Sequence, residues 1–347
     1  LIDKGIDGFW NDMNEPAIFY SEKHLKEVFE KLEDYKKMNL DVNTFFEMQG
    51  MVGSICNNPE DYASFYHNYK GRHYRHDQVH NLFGYYMTRS ASEAFERYVP
   101  EKRILLFSRA SYIGMHRFGG IWQGDNASWW SHLKMNVKMM PSLNMCGFLY
   151  TGADAGGFGN DTTEDLMLRW LEFAVFTPLL RNHSARGTRR QEVYRFSHVE
   201  KFADVIGVRY QILPYIYSEY MKAALQNTMM FNPLSFLYGE DALAGQVEDQ
   251  LFIGENVMVA PVCEQNVSGR VVYFPEHMKE LIFKNGIIEE GKVYEKGFSY
   301  VEMQMGTVHI FLREGYLFPV AKGGKCVEDV DFEDLTLYSF GEEIKPY

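Results

Sequence analysis

The stretch GFWNDMNEPAIF, residues 8–19, decides how this chain is read. A short apolar run ends at Trp10, Asn11 and Asp12 follow it, and Glu15 stands just before Pro16. A carboxylate at the end of an apolar run, flanked by Trp10 and Met13, is costly unless something pairs or uses it. The ordinary alternative is a helix cap, with Asn11 or Asp12 capping the next segment. Pro16 suits either a loop or a first helical turn.

The same pattern recurs along the first two thirds of the chain. GIDGFWND (5–12), RILLFSRAS (103–111), GIWQGDN (120–126), GFLYTGADAG (147–156) and FTPLLRNHS (176–184) are all apolar runs that stop at polar residues. Continuous apolar runs suit strands buried on both faces, as in parallel sheets. Helical spacing fills the intervals at 80–98, 128–144, 162–176 and 199–226. Thr162 or Thr163 is placed to cap the third of these, with acidic residues in its first turn. Pro214 predicts a kink in the fourth. Residues 17–79 form a long insert after the first strand, and its charged stretch 21–37 reads as an exposed helix with a solvated face.

Strand, loop and helix in alternation give the βα pattern of a parallel α/β fold, in which chemistry sits on the loops after the strands. Four or five strands are countable, whereas a closed barrel has eight. An open barrel leaves unpaired edges, so the remaining strands are expected upstream of Leu1. After residue 226 the runs DQLFIGENVMVAPV, GRVVYFPE, KELIFKNG and GTVHIFLREGYLFPV alternate with Gly, Asn and Glu turns. These predict an antiparallel β-sandwich.

Composition narrows the partners. The chain has 347 residues, 46% hydrophobic and 24% charged, an ordinary globular balance with room for a large domain and a smaller one. A formal net charge of −12 argues against nucleic acid or an anionic membrane surface as partner. No stretch reaches the ~18 apolar residues of a membrane helix. Cys56, Cys146, Cys263 and Cys326 are scattered, without a CxxC pair. They read as reduced thiols, three of them packed as small hydrophobes, which points to the cytoplasm. Asn126, Asn160, Asn182 and Asn266 head glycosylation sequons; two of these fall among the site candidates and are read as coincidence.

Asp125 is the second carboxylate at a run's end, among Trp122, Trp129 and Trp130. An apolar ring of that kind would raise its pKa and keep it protonated; the alternative is that Asp125 or Asn126 caps helix 128–144. One ionised and one protonated carboxylate at strand ends is the pattern of glycoside hydrolysis, and a gap of about 5–5.5 Å between them means retention. Arg109, or Arg117, would keep a neighbouring carboxylate ionised. Asp154 lies among glycines that allow close approach of a ligand, or else makes an Asx turn. His183 sits at the last run's end, where it suits sugar hydroxyls. His73, His76, Asp77 and His80 have the spacing of a metal site, but nothing near them supplies a catalytic water.

GFWNDMNEP, SRASYIGMHRFGGIWQGDNASWW, GFLYTGADAGGF and RNHS resemble, in order and spacing, the signature blocks of glycoside hydrolase family 31. WNDMNEP is closer to the α-glucosidase members than to the α-xylosidases. EDQLFIGENVMVAPV and FLREGYLFPV resemble the family's C-terminal β-domain. The resemblance implies a (β/α)8 TIM barrel, of which residues 1–226 with insert 17–79 would be the second half, strands 4–8. An antiparallel β-sandwich at 227–318 and a short distal β segment at 319–347 would follow.

The resemblance also implies that Asp12 is the nucleophile and Asp125 the general acid/base. Arg109 and His183 would hold a sugar in the −1 subsite, with Trp10, Met13, Trp122, Asp154 and Phe158 as its walls or supports, and Glu15 as structural support. Where the family has arginine in a VRPLF block, this chain has Asn232 in FNPLSF. The implied function is a retaining exo-α-glucosidase acting on maltose- or isomaltose-type oligosaccharides, without metal or cofactor. An α-xylosidase, transglucosidase or α-glucan lyase of the same family, or a non-catalytic sugar-binding homologue, are the alternatives. The upstream part of the same polypeptide is the expected partner in the barrel, and a homo-oligomer is compatible with these features.

Overall fold

The computed structural model describes residues 1–17 and 19–347, which form two compact units, Leu1–Ile121 and Trp122–Tyr347. The sequence boundary at 226/227 falls inside the second unit.

In the first unit, strand Gly8–Asn11 pairs in parallel with Leu105–Ser108, which pairs in parallel with Gly120–Ile121. The register sets Trp10 beside Phe107 and Asn11 beside Ser108, so residues 12 and 109 leave the sheet together. The strands occupy only the centres of the apolar runs. Parallel neighbours need a long crossover, and helix Leu82–Tyr98 provides its last leg. A Cβ on Gly84 of that helix would lie 2.7 Å from the Ala110 Cβ and 2.9 Å from the Asn14 carbonyl. The helix therefore packs directly on the loops that follow the strands.

The insert consists of helices Glu22–Tyr35, Val42–Gly53 and Pro59–Ser64 and a hairpin, Tyr66–Tyr69 with Arg72–Arg75. Ser21 caps the first helix by accepting from the His24 amide at 3.1 Å. That helix buries Val28 and shows solvent the Lys23–Glu27 and Lys26–Glu30 pairs, as the charged stretch predicts. Asp41 and Thr44 form a reciprocal capping box on the second helix.

In the second unit a short parallel pair, Asp154–Ala155 with Arg181–Asn182, is surrounded by helices Trp130–Met145, Glu164–Ala174, Val199–Gln211 and Leu213–Gln226. Thr163 caps the second of these, accepting from the Leu166 amide at 3.2 Å. The 199–226 pattern is two helices, broken at Ile212 with Pro214 in the first turn of the second, rather than one kinked helix. Trp129 precedes helix Trp130–Met145 and offers it no side-chain cap, so neither Asp125 nor Asn126 serves as its cap.

The C-terminal region is antiparallel, as its alternation predicts. A six-stranded sheet runs in the order Ile287–Tyr294, Met278–Lys284, Val308–Arg313, Val257–Val259, Leu251–Ile253, Phe231–Pro233. Successive side chains go to opposite faces. Leu251, Ile253, Val257, Val259, Ile310 and Leu312 join the core with the helices. Phe252, Met258 and Phe311 join a second core with Val272, Phe274 and Val301 of the ribbon Gly269–Phe274/Gly297–Glu302. Strand Leu317–Ala321 pairs with Leu335–Ser339.

Buried Arg169 ties helix Glu164–Ala174 to this region. It pairs with Glu172 at 2.8 Å and donates to the carbonyls of Met303 at 2.9 Å and Val267 at 3.2 Å. Asn232 donates to the Gly254 carbonyl at 3.0 Å, tying two neighbouring strands at their ends.

The cysteines do not follow the sequence reading: Cys56, Cys146 and Cys326 are exposed, and only Cys263 is partly buried. Isolated cysteines on surface segments have no packing partner to fix them inside. Among the described residues, no helix is long and apolar enough to cross a membrane.

Candidate active site

The candidates fall into two groups, one in each unit. In the first, Asp12 stands immediately after strand Gly8–Asn11 and Arg109 immediately after Leu105–Ser108. The Arg109 amide donates to the Asn11 carbonyl at 3.0 Å, continuing the parallel ladder by one step. The guanidinium is shared between two carboxylates. Its Nε and Nη2 donate to both oxygens of Glu15 at 2.7 and 3.0 Å, and Nη1 lies 3.2 Å from Asp12 Oδ1. Two-point contact fixes the plane of the guanidinium, and with it the cation beside Asp12.

Burial works to raise the pKa of Glu15. The Arg109 hydrogen bonds, its own backbone amide, the Arg109 charge and the His80 charge outweigh that and hold it below the usual carboxylate range. Asp12 Oδ1 also accepts from the Met13 amide at 2.7 Å, and Met13 takes a left-handed φ of 55° in the tight turn that follows. Among the described residues, no helix follows for Asp12 to cap until Glu22.

Asn14 was not legible as a site residue. It is buried, donates to Ser108 Oγ at 2.8 Å and accepts from the Ala110 amide at 3.0 Å. It thereby locks the Asp12 loop to the Arg109 loop. Trp10 stacks on Phe107 at 4.6 Å and 18°. Arg117 donates to the Gly114 carbonyl at 3.2 Å, so Arg109 is the arginine seen beside Asp12.

In the second unit Asp154 is 0% exposed. Its Oδ1 accepts from Arg181 Nε at 2.5 Å, its register partner on the neighbouring strand. Burial pushes the Asp154 pKa up against the pull of Arg181 and His183, and the charge of Asp125 adds to the rise. The side chain is therefore an ion-pair partner and not an Asx turn. The Arg181 guanidinium lies over the Trp122 ring at 5.6 Å. Arg209 pins the segment leading to Arg181, donating to the carbonyls of Val175 at 2.9 Å, Thr177 at 2.8 Å and Pro178 at 3.2 Å. Phe158 and His183 stack at 5.3 Å.

Asp125 is exposed, and the enclosing tryptophan ring expected around it does not form. Trp122 is buried beneath Arg181, whereas Trp129 is 53% exposed and turned edge-on to His132. The loop itself is tightly held. Asn126 donates to the Asp154 carbonyl at 3.0 Å and to Asn136 at 3.1 Å, and its carbonyl accepts from the Phe158 and Gly159 amides at 2.8 and 2.9 Å. The Ser128 amide donates to Gly159 at 2.8 Å. Gly157, at φ 93°, makes this closeness possible: a Cβ there would lie 2.4 Å from the Ser128 nitrogen.

Gln191 is a second residue that sequence reasoning missed. It is buried and donates to the carbonyls of Gly157 at 3.0 Å and His183 at 3.3 Å, joining the two loops.

The histidine-rich stretch does not build a metal site. His73 is exposed on the hairpin, and His67, from the opposite strand, takes its place beside His76. Among the described residues, no group of three His, Cys, Asp or Glu is placed to hold a metal ion. Chemically, the first group offers a carboxylate with a fixed cation beside it, and the second an exposed carboxylate on a rigid loop next to stacking rings and a buried ion pair.

Comparison with known proteins adds the family. Over 317 residues the chain is 30% identical to "Alpha-glucosidase 2" of Bacillus thermoamyloliquefaciens, covering 90% of this chain and 35% of that protein. It is 28% identical to "Alpha-glucosidase" of Saccharolobus solfataricus over 327 residues, 92% of this chain and 43% of the relative. A solved dextranase from Flavobacterium johnsoniae shares the fold with a TM-score of 0.73 at 24% identity, over 93% of this chain and 36% of that one. The chain thus spans well under half the length of the relatives it matches.

The Glycosyl hydrolases family 31 TIM-barrel domain matches residues 1–219 and the Glycosyl hydrolase family 31 C-terminal domain matches residues 227–318. With most of its length inside those two matches, the chain belongs to glycosyl hydrolase family 31.

Proposed function

We propose that the protein is a retaining, exo-acting α-glucosidase that removes terminal non-reducing α-linked glucose from maltose- or isomaltose-type oligosaccharides. The observation that carries this reading is the shared guanidinium of Arg109, fixed by Glu15 and 3.2 Å from Asp12. On this reading Asp12 attacks C1 of the terminal glucosyl unit while Asp125 protonates the leaving oxygen. Asp125 then takes a proton from the water that opens the glucosyl ester on Asp12. Arg109 and His183 hold the sugar, and Trp10, Met13, Trp122, Asp154 and Phe158 shape its subsite. No step calls for a metal or cofactor.

The names of the Bacillus and Saccharolobus relatives support the choice of α-glucosidase, and the Flavobacterium dextranase is described in complex with glucose. The reading takes 1–226 as barrel strands 4–8 with their helices, 227–318 as the proximal sandwich and 319–347 as a distal segment. The free, largely exposed thiols favour a reducing compartment, hence the cytoplasm.

The test is a set of initial rates for the complete polypeptide on maltose, isomaltose, sucrose and the p-nitrophenyl α-glucoside and α-xyloside. The anomer of the first product is read by NMR. Hydrolysis of the glucosides to α-glucose, unchanged by EDTA, is expected. Preference for the xyloside, glucosyl transfer, an unsaturated or anhydro product, or binding without turnover would each reassign the protein to one of the alternatives named above.

A further inference from the structure

A cavity of about 570 Å³ lies where helix Trp130–Met145 meets the start of the ribbon Gly269–Phe274/Gly297–Glu302. That is the size of a small-ligand pocket. None of the residues proposed to act on the glycosidic bond lines it.

One wall is apolar and exposed. Residues along a strand alternate between faces. Val272, Phe274 and Val301 turn into the core behind the six-stranded sheet, so Val271 and Tyr300, which stand opposite each other, share the outer face. Tyr300 is 58% exposed, and Phe298, two places before it, continues the same exposed platform. The Tyr300 hydroxyl is 3.2 Å from Ser268 Oγ.

The other wall is polar and carries charges that cancel. Asp249 lies between two cations, with Arg270 Nη2 at 2.7 Å and Lys134 Nζ at 3.1 Å. Lys134 and Arg270 are thus set against Asp249 and Glu264. Burial pushes the Cys263 thiol, also in the lining, up to about 12, so it adds no charge. The segment between the walls is held in place: the Asn266 amide donates to Asp165 at 3.3 Å, and the Ser268 carbonyl accepts from the Met303 amide at 2.8 Å.

We propose that this cavity is a saccharide-binding site that holds a short stretch of a neutral α-glucan. A sugar ring lies with its C–H face on Tyr300 and Val271, and its hydroxyls meet Ser268, Asn266, Asp249 and Lys134. The choice of α-glucan among neutral saccharides rests on the proposed activity; the site itself does not.

The chemistry selects this class. A sugar has apolar C–H faces and a rim of hydroxyls that both donate and accept. It suits an aromatic face with a polar handle beside mixed donors and acceptors of no net charge. An anion would meet cations already neutralised by Asp249 and opposed by Glu264. A metal ion would meet a carboxylate flanked by two positive groups. An added peptide strand would find the ribbon edge taken. Gln250 holds both the amide and the carbonyl of Tyr273, at 2.9 and 2.8 Å, and Arg270 Nε donates to the Val271 carbonyl at 3.2 Å.

Cyclic glucans test the site apart from turnover, because a ring has no terminal unit for an exo-acting enzyme. Calorimetry on the complete polypeptide with β-cyclodextrin (α-1,4) and cycloisomaltoheptaose (α-1,6) is expected to show binding of at least one. Tyr300→Ala should weaken it roughly 10-fold, with kcat/KM on p-nitrophenyl α-glucoside unchanged. Ser268→Ala leaves the platform intact and should weaken it about 3-fold.

No binding of either ring, or equal binding by wild type and Tyr300→Ala, overturns the proposal. If the second result comes with a dimer that Tyr300→Ala dissociates, the platform is an interface between two copies instead. Binding that needs Tyr300 but is untouched by both Ser268→Ala and Asn266→Ala is capture of an exposed ring, and it too ends the proposal. A wild type that binds a cyclic glucan through Tyr300 and Ser268 yet hydrolyses no α-glucoside counts against the proposed activity and leaves the site standing.

Discussion

The two units are ordered by different forces. Among the described residues, Leu1–Ile121 buries five hydrophobic side chains, Val28, Leu106, Phe107, Met115 and Ile121, and five polar ones, Asn14, Asp61, His76, Thr88 and Ser108. Trp122–Tyr347 buries polar side chains too, Asn126, Asp154, Arg169 and Gln191 among them, but sets them against a continuous apolar core from Leu133 through Val320 and a second one behind its sheet. Hydrophobic burial stabilises without regard to direction, whereas buried polar groups demand particular partners at particular angles. The proposed nucleophile thus lies where hydrogen bonds and charge set position with little apolar packing behind them, and the proposed acid/base on a hydrogen-bonded loop backed by a packed scaffold. This difference teaches that a single polar deletion should displace Asp12 more readily than Asp125.

The largest effects should come from the carboxylates, one from each unit. In the complete polypeptide Asp125→Ala is expected to lose roughly 10²–10⁴-fold in kcat, and Asp12→Ala at least as much. Azide should rescue only one of the two, and steady-state kinetics with and without azide separates them. Full turnover in either variant breaks the pairing.

Next comes Arg169→Ala in the packed unit. Removing one partner of a buried pair, together with its carbonyl contacts, is expected to cost about 3–5 kcal/mol, read by calorimetry or denaturant titration. In the first unit, Asn14→Ala takes the acceptor from the Ala110 amide and the donor from Ser108 Oγ, which keeps its own bond to the Ala110 carbonyl, and should cost about 1–3 kcal/mol. Its signature is that kcat falls more than the global melting temperature suggests. If Asn14→Ala leaves kcat intact, polar order is not what places Asp12.

The smallest effect is a pH dependence confined to the first unit. Burial lowers the folded pKa of His76 from its ordinary value of 6.5, so the folded state binds fewer protons there than the unfolded chain. That contribution is intact above 6.5 and drains away as pH falls through the lowered folded value. Hydrogen exchange corrected for intrinsic rates should show hairpin Tyr66–Arg75 and helix Leu82–Tyr98 loosening on mild acidification, before the six-stranded sheet does. Uniform loosening would blur the contrast between the units.

Much of the architecture was legible because apolar runs end where strands end. Asp12, Arg109 and His183 each follow a strand directly, as the runs predict. Strand length was not legible. GFLYTGADAG gives only Asp154–Ala155 as a strand; just before it the Thr151 carbonyl accepts from the Leu179 amide at 3.1 Å and the Gly152 carbonyl from the Gln123 amide at 2.9 Å, single hydrogen bonds that do not extend the ladder. The partners of the site residues were equally hidden. Arg181 stands two positions before His183 in a stretch already singled out, but only parallel register places it against Asp154. Asn14 sits between Met13 and Glu15 with no periodic signal. The histidines were visible by spacing, yet a hairpin substitutes His67 for His73, and linear spacing does not encode a contact across strands.

Asn126 heads a sequon, yet the nitrogen that a glycan would occupy is 2% exposed with its residue and already donates to Asn136 and Asp154. A sugar attached there during synthesis would unpick the seam between the two loops and leave Asp125 adrift, whereas Asn160 and Asn266 are exposed. Recombinant production in a host that does not N-glycosylate should therefore give a more uniform enzyme than secretion from one that does, and Asn126 is the residue to watch by mass spectrometry.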